Sequence, residues 1–212
     1  MARCRDLKTL QALLAGKRAV QTAARQAGAA APSGPAPSGP APDSPRRLLG
    51  IDTALRTTGF GLIDCQGTHM TAVDCGIIQT AASEPFSECL RRLAGGVREL
   101  VRRYAPDEAA IEGAFYCRNV HTTLMLGSAR GAVIAVLADM EIPIYEYAPR
   151  RVKQSVCGFG NASKAHVALL VAQFLNIQVG NLRNDATDAL ALAICHAQTA
   201  RVASGLGLPD RL

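Results

Sequence analysis

Four carboxylates occupy positions where a carboxylate is costly to keep. Asp52 follows the apolar run Leu48-Leu-Gly-Ile, and Glu112 follows Ala109-Ala-Ile. Asp185 and Asp188 open the apolar stretch Asn184-Asp-Ala-Thr-Asp-Ala-Leu-Ala-Leu-Ala-Ile-Cys. A carboxylate taken out of water neutralises, finds a partner or holds a metal. No Lys or Arg is spaced along the chain to pair with each of the four. Acids at the ends of apolar strands and at a helix start point to one cluster that binds divalent cations. Taken singly, each has a plainer reading. Asp185 and Asp188 also suit an ordinary helix start, and Asp52 a strand-end turn.

The elements that must bring these acids together follow from hydropathy. Residues 48–53 and 58–64 read as two strands joined by a tight turn, and 70–79 as a third, more mixed strand. A helix is expected over 84–104, with Leu90, Leu93, Val97, Leu100 and Val101 on one face and basic residues on the other. Strand 108–113, a helix over 120–140, strand 143–147 and a short helix near 149–156 follow. The Gly-rich connection Cys157-Gly-Phe-Gly-Asn-Ala-Ser precedes helices over 163–175 and 184–203. Three leading strands and then alternating helix and strand predict an α/β domain with a mixed sheet and helices on its faces. Asn184 has the chemistry of an N-cap, which would set Asp185 and Asp188 in the positive end of the last helix, three apart and on one face.

The basic balance of the chain is unevenly placed. Residues 1–47 hold eight Lys or Arg against two Asp or Glu, whereas residues 48–212 hold fifteen of each. A nucleic-acid surface on the main domain must therefore come from local clustering. Residues 1–46 combine an Ala-rich basic stretch with a Pro/Ala/Ser/Gly linker and are expected to lie outside the folded domain. The domain is expected over 47–200, with a tail at 201–212. Seven cysteines, an odd count with no C-x-x-C pair, argue against a zinc knuckle or a disulfide framework and for a reduced, cytoplasmic setting. No unbroken apolar run reaches the roughly 18 residues that span a bilayer, and the basic start lacks a secretory h-region, so no membrane association is expected.

At Gly50-Ile-Asp, Thr58-Gly-Phe-Gly, Ala110-Ile-Glu, Leu126-Gly-Ser-Ala-Arg-Gly, Val152-Lys-Gln and Asp185-Ala-Thr-Asp-Ala-Leu-Ala the chain resembles the RuvC family of bacterial Holliday junction resolvases. The match covers about residues 48–198, and the joint order of the motifs is specific where any one is weak. The resemblance implies an RNase H-like fold, a mixed five-stranded sheet flanked by helices on both faces. It implies a homodimer that nicks two opposing strands of a four-way DNA junction symmetrically, leaves 5′-phosphates, and works with the RuvA and RuvB branch-migration proteins. It places the family's four catalytic, metal-binding acids at Asp52, Glu112, Asp185 and Asp188. Phosphodiester hydrolysis needs an activated water, neutralised phosphoryl oxygens and a relieved leaving oxygen, which two Mg²⁺ ions about 3.5–4 Å apart supply. Asp52 is the candidate bridging ligand. Lys153 and Lys164 match basic residues near the cleaved strand. Phe115 matches an aromatic that stacks on an unpaired base at the junction centre, with Tyr116 and Arg118 extending that platform.

Two glycines, Gly127 and Gly131, cost the 120–140 helix about 1 kcal/mol each relative to Ala. Close approach of another helix, across a two-fold interface or within one chain, would explain them. Two departures from the family stand out. Asp52 is followed by Thr53-Ala54-Leu55 where the family has Pro-Gly-Ser, and Glu112 by Gly113 where it often has Gln. The pose of Asp52 then depends on how the altered turn is held. Rival readings are a catalytically impaired junction-binding protein, a RuvC-like nuclease acting on structured RNA, and an actin-like phosphate-binding fold, for which the chain is too short.

Overall fold

The computed structural model describes residues 44–113, 119–178, 183–202 and 211–212. Strands β1 (Arg46–Asp52), β2 (Thr57–Gln66) and β3 (His69–Gln79) form an antiparallel meander, and β4 (Glu108–Glu112) and β5 (Ile144–Tyr147) add in parallel on the other side of β1. The order is β3-β2-β1-β4-β5, so β1 is central. Helices are α1 (Phe86–Tyr104), α2 (Val120–Asp139), α3 (Pro149–Cys157), α4 (Lys164–Leu175) and α5 (Asn184–Val202). These elements agree with the sequence reading to within a few residues, and the mixed five-stranded sheet is the one expected.

A central strand covered on both faces must be apolar on both. Leu48, Leu49 and Ile51 are fully buried, and successive residues feed different cores. Leu48, Ala110, Tyr145 and Tyr147 pack with α3, α4 and α5. Leu49, Ile51, Ala109, Ile111 and Ile144 pack with α1 and α2 on the other face. Each fully buried Leu or Ile contributes about 1.5–3 kcal/mol. The two-residue period then fixes where the strand-end acids point. Asp52 shares a face with Leu48, and Glu112 with Ala110, so both look toward α5.

α2 differs from expectation in two ways. By length and composition it is apolar enough to cross a bilayer. It is nonetheless a wall of this domain, with Ala129, Val133, Val136 and Leu137 buried and Arg130 ion-paired to Glu146. Among the described residues nothing lies within 4 Å of a Cβ placed at Gly127 or Gly131, so packing against them does not explain these glycines.

Two other glycines decide how close α5 can come to the sheet. A Cβ on Gly50 would run into the carbonyl oxygen of Ala189 and lie 2.9 Å from the nitrogen of Ala193. One on Gly59, the partner of Asp52 across β2, would run into the carbonyl oxygen of Asp185. The α5 backbone therefore rests directly on β1 and β2. Gly50→Ala is expected to lose about 1–3 kcal/mol in urea denaturation by overpacking this seam. Gly95→Ala, in open space on α1, is expected to be neutral or to gain up to about 1 kcal/mol in the same measurement.

Candidate active site

The register delivers the first two acids. Ile51 pairs with Ile111 in the parallel β1–β4 ladder, and Asp52 and Glu112 come one residue later, at neighbouring carboxyl ends. Ligand sites of open α/β sheets gather at this edge. α5 delivers the other two. Its first turn carries Asp185, and Asp188 follows one turn along the same side. Asn184 is the first helical residue and not the N-cap. The Arg183 carbonyl opens the helix by accepting from the Thr187 N–H at 3.0 Å.

Asp52, Glu112 and Asp188 line one cleft of about 250 Å³ with Lys153 and Lys164. Asp185 lines an adjoining groove between the 54–57 turn and Met125 of α2. The acids act on one another. Burial, then the charges of Glu112, Asp188 and Asp185, push the Asp52 carboxyl up to about 7, against the pull of Lys164. Burial and Asp188 also raise Glu112, while Lys164 and Lys153 pull it down. Among the described residues, no three His, Cys, Asp or Glu side chains close tightly enough to hold one ion. The chemistry of the donor set suits magnesium all the same: hard oxygen ligands alone, on rigid elements.

One acid has a cation after all. Lys164, at the start of α4, pairs with Asp188 at 3.2 Å, and this hydrogen bond raises the Lys164 pKa. The sequence could not show that pairing, because 24 positions separate the partners. Lys153 faces the same cleft from α3. Phe115, Tyr116 and Arg118 lie outside the described residues.

The Thr53-Ala54-Leu55 turn is held by side chains. The Thr58 hydroxyl accepts from the Ala54 N–H at 3.1 Å and donates back to the Ala54 carbonyl at 2.5 Å. The Thr80 hydroxyl donates to the Leu55 carbonyl at 3.1 Å, and the Thr80 N–H to that of Arg56 at 3.0 Å. Leu55 is buried beneath. These bonds do what a Pro-Gly turn does by backbone restriction. Beside Glu112, the Gly113 N–H donates to the Tyr147 carbonyl at 2.9 Å. Arg130 donates to the Glu112 carbonyl and to the Glu146 carboxylate. Sequence reasoning missed Arg130 as a positioning residue, although a single Arg in an apolar helix was the available signal.

α5 is anchored at its far end by a buried polar clamp. His196 is fully buried; its Nδ1 lies 2.7 Å from the Tyr147 hydroxyl and its Nε2 2.8 Å from the Glu108 carboxylate. Burial alone would raise Glu108, but His196 and Arg46 bring it below the usual range. Glu108 and Glu112 share a face of β4, about 13 Å apart along the strand. Asp188 and His196 are about 12 Å apart along α5. Helix and strand therefore match end to end.

Known proteins resemble the chain in sequence and fold. The family model of crossover junction endodeoxyribonuclease RuvC matches residues 48–196. A crossover junction endodeoxyribonuclease RuvC of Chloroflexus aurantiacus is 41% identical over 162 residues, 76% of this chain and 99% of the relative. One of Ralstonia nicotianae is 45% identical over 151 residues, 71% of this chain and 83% of the relative. Thermus thermophilus RuvC, solved in complex with a Holliday junction substrate, superposes with a TM-score of 0.73 at 30% identity, covering 79% of this chain and 99% of that one. The yeast mitochondrial Holliday junction resolvase Ydc2, at 11% identity and a TM-score of 0.58, shares the fold. With the family model covering well over half its length, the chain belongs to the RuvC family of crossover junction endodeoxyribonucleases.

Proposed function

We propose that this protein resolves four-way DNA junctions by Mg²⁺-dependent, symmetric nicking of two strands during recombination and repair. The carrying observation is the cleft that holds Asp52, Glu112 and Asp188 with Lys153 and Lys164 at the carboxyl edge of the sheet. Asp52, Glu112, Asp188 and the adjoining Asp185 would hold two magnesium ions, which lower the cost of forming hydroxide and neutralise the phosphoryl oxygens. The rest falls to side chains. Asp52, whose carboxyl feels the charges of the other three acids, would orient the attacking water. Lys153 and Lys164 attract the scissile phosphate and offset charge that builds on it. Phe115 and Arg118 engage the junction centre by stacking and phosphate contact. The nuclease domain begins with β1 at Arg46, one residue earlier than the composition suggested. Its partners on this reading are a second copy of the chain and the RuvA and RuvB proteins, and its place is the cytoplasm.

The second copy is supported by α2. Val120 and Leu124 are 72% and 65% exposed, and Gly127, Gly131, Ala135 and Ala138 continue the same stripe to solvent. Small residues let a partner helix approach closely. A two-fold contact here would put two clefts on one assembly, as paired nicks require.

Three outcomes test this reading. On a synthetic four-way junction with Mg²⁺, wild type should release paired nicked products, and Asp52→Asn should slow nicking by about a hundredfold or more. Junction binding without metal-dependent nicking would favour the impaired-binder reading instead. Gly131→Arg should turn a dimer in sedimentation velocity at micromolar concentration into a monomer; a monomeric wild type would remove the α2 interface. The third outcome concerns pH. The folded protein keeps a proton on Asp52 up to about pH 7 that the unfolded chain releases near pH 4. Metal-free stability therefore falls as pH rises through this window. Asp52→Asn should raise the melting temperature of metal-free protein at pH 8, and the gain should vanish near pH 4. Metal must displace the same proton, so Mn²⁺ affinity by calorimetry should fall about tenfold per unit below pH 7.

A further inference from the structure

The segment from Tyr147 to Asn184 contains no Asp or Glu, yet carries Arg150, Arg151, Lys153, Lys164 and Arg183. In a domain with as many acids as bases overall, where the rest of the charge is therefore net acidic, this is the local cationic cluster that nucleic-acid binding requires. It spans α3, α4 and their connecting loop, and Pro149, Lys153 and Lys164 reach the acid cleft itself.

At the centre of that loop an aromatic ring is held out in solvent. Phe159 is 47% exposed, and its ring lies tilted against His166 with centroids 5.6 Å apart. The loop is pinned on both sides of it. Gly158 caps α3 at φ +83°, with its N–H donating to the Gln154 carbonyl at 2.8 Å. Ala162 is buried, and the Ser163 hydroxyl caps α4 by accepting from the His166 N–H at 3.2 Å. Gly160 lies so close to the Arg150 side chain that a Cβ there would collide with its Cγ. The loop thus folds back over the start of α3, beside the cleft. An exposed Phe on a mobile loop would need no explanation. One fixed in place, paired with a second ring and carried on a loop that packs against Arg150, has the parts of a stacking platform: a flat π-face for a base and positive charge for the adjoining phosphates.

We propose that Phe159, backed by His166, stacks on a nucleobase of the DNA strand that runs from the acid cleft across the α3–α4 loop. It then positions the scissile phosphate and contributes to sequence preference at the cut. This platform is separate from Phe115 and rests on the junction-nuclease reading above. Stacking depends on ring area, so preference arises from how well each base stacks and not from hydrogen-bond readout.

The test uses the full chain and a synthetic four-way junction carrying 2-aminopurine at each nucleotide flanking the scissile phosphate in turn. Without divalent metal, wild type should quench the fluorophore at one flanking position. Phe159→Ala should abolish that quenching and weaken junction binding about tenfold. Phe159→Trp should restore both. Phe159→Ala should also flatten the dependence of nicking rate on flanking sequence, while its urea midpoint stays that of wild type because the ring is exposed. Wild-type binding and nicking with Phe159→Ala indistinguishable in quenching and sequence preference would overturn the platform alone. Failure of wild type to bind any junction would overturn the resolvase reading and the platform with it.

Discussion

The direct contact between the α5 backbone and strands β1 and β2 is the constraint on which the site depends. Helices usually sit on sheets through a layer of side chains. Here Gly50 and Gly59 remove that layer beneath Ala189 and Asp185. The acids of α5 come down to the level of Asp52 and Glu112, where their charges add to burial and to the charge of Glu112 in raising the Asp52 pKa to about 7. Acids packed this way repel, so something else must hold the helix down. The apolar run from Ala189 to Cys195 does so along its length, each residue nearly or fully buried. The His196–Glu108 and His196–Tyr147 bonds do so at the far end. A buried polar network of this kind is a weak source of net stability but can set registry. It fixes which turn of α5 faces the cleft.

Much of this was legible in the sequence, for a physical reason. Period-two hydropathy assigns each strand residue to a face, and a three-residue spacing assigns two helix residues to one side. Asp52, Glu112, Asp185 and Asp188 could therefore be placed from local pattern. What pattern cannot show is pairing over long separations. Lys164 with Asp188, Arg130 with Glu112 and Glu146, and Glu108 with His196 all depend on how elements pack. The same holds for the helix start. Asn184 has N-cap chemistry, but the chain enters α5 from Arg183, and no local preference competes with that approach. Gly50 and Gly59 were visible as motif residues, but only packing shows that both make room for one helix.

The altered turn after Asp52 shows how one local solution replaces another. Pro-Gly restricts the backbone before folding begins. Thr53-Ala54-Leu55 leaves it free in the unfolded chain and captures it afterwards with the Thr58 and Thr80 hydroxyls. Losing the Pro raises the entropy of ordering, although replacing the Gly by Ala takes part of that back. Burying Leu55 and satisfying both hydroxyls, in a setting where an unmade bond would be costly, offsets it. The turn after Asp52 is thus held by side chains from β2 and from the end of β3 rather than by its own residues.

The charges of the domain are divided by element. Acids of the cleft come from β1, β4 and α5, whereas α3, α4 and their loop contribute cations alone. The two sets meet at Lys164 and Asp188. With the Lys164 side chain 74% exposed, that pair is of the kind that contributes about 0–1 kcal/mol. On the proposed function it can be exchanged at little cost: Asp188 toward a divalent cation, Lys164 toward a phosphate. A tighter pair would hold both groups from substrate, and no pair would leave Asp188 to repel its neighbours. The weak, solvent-facing bridge keeps the acid cluster tolerable while leaving each member available for the opposite charge.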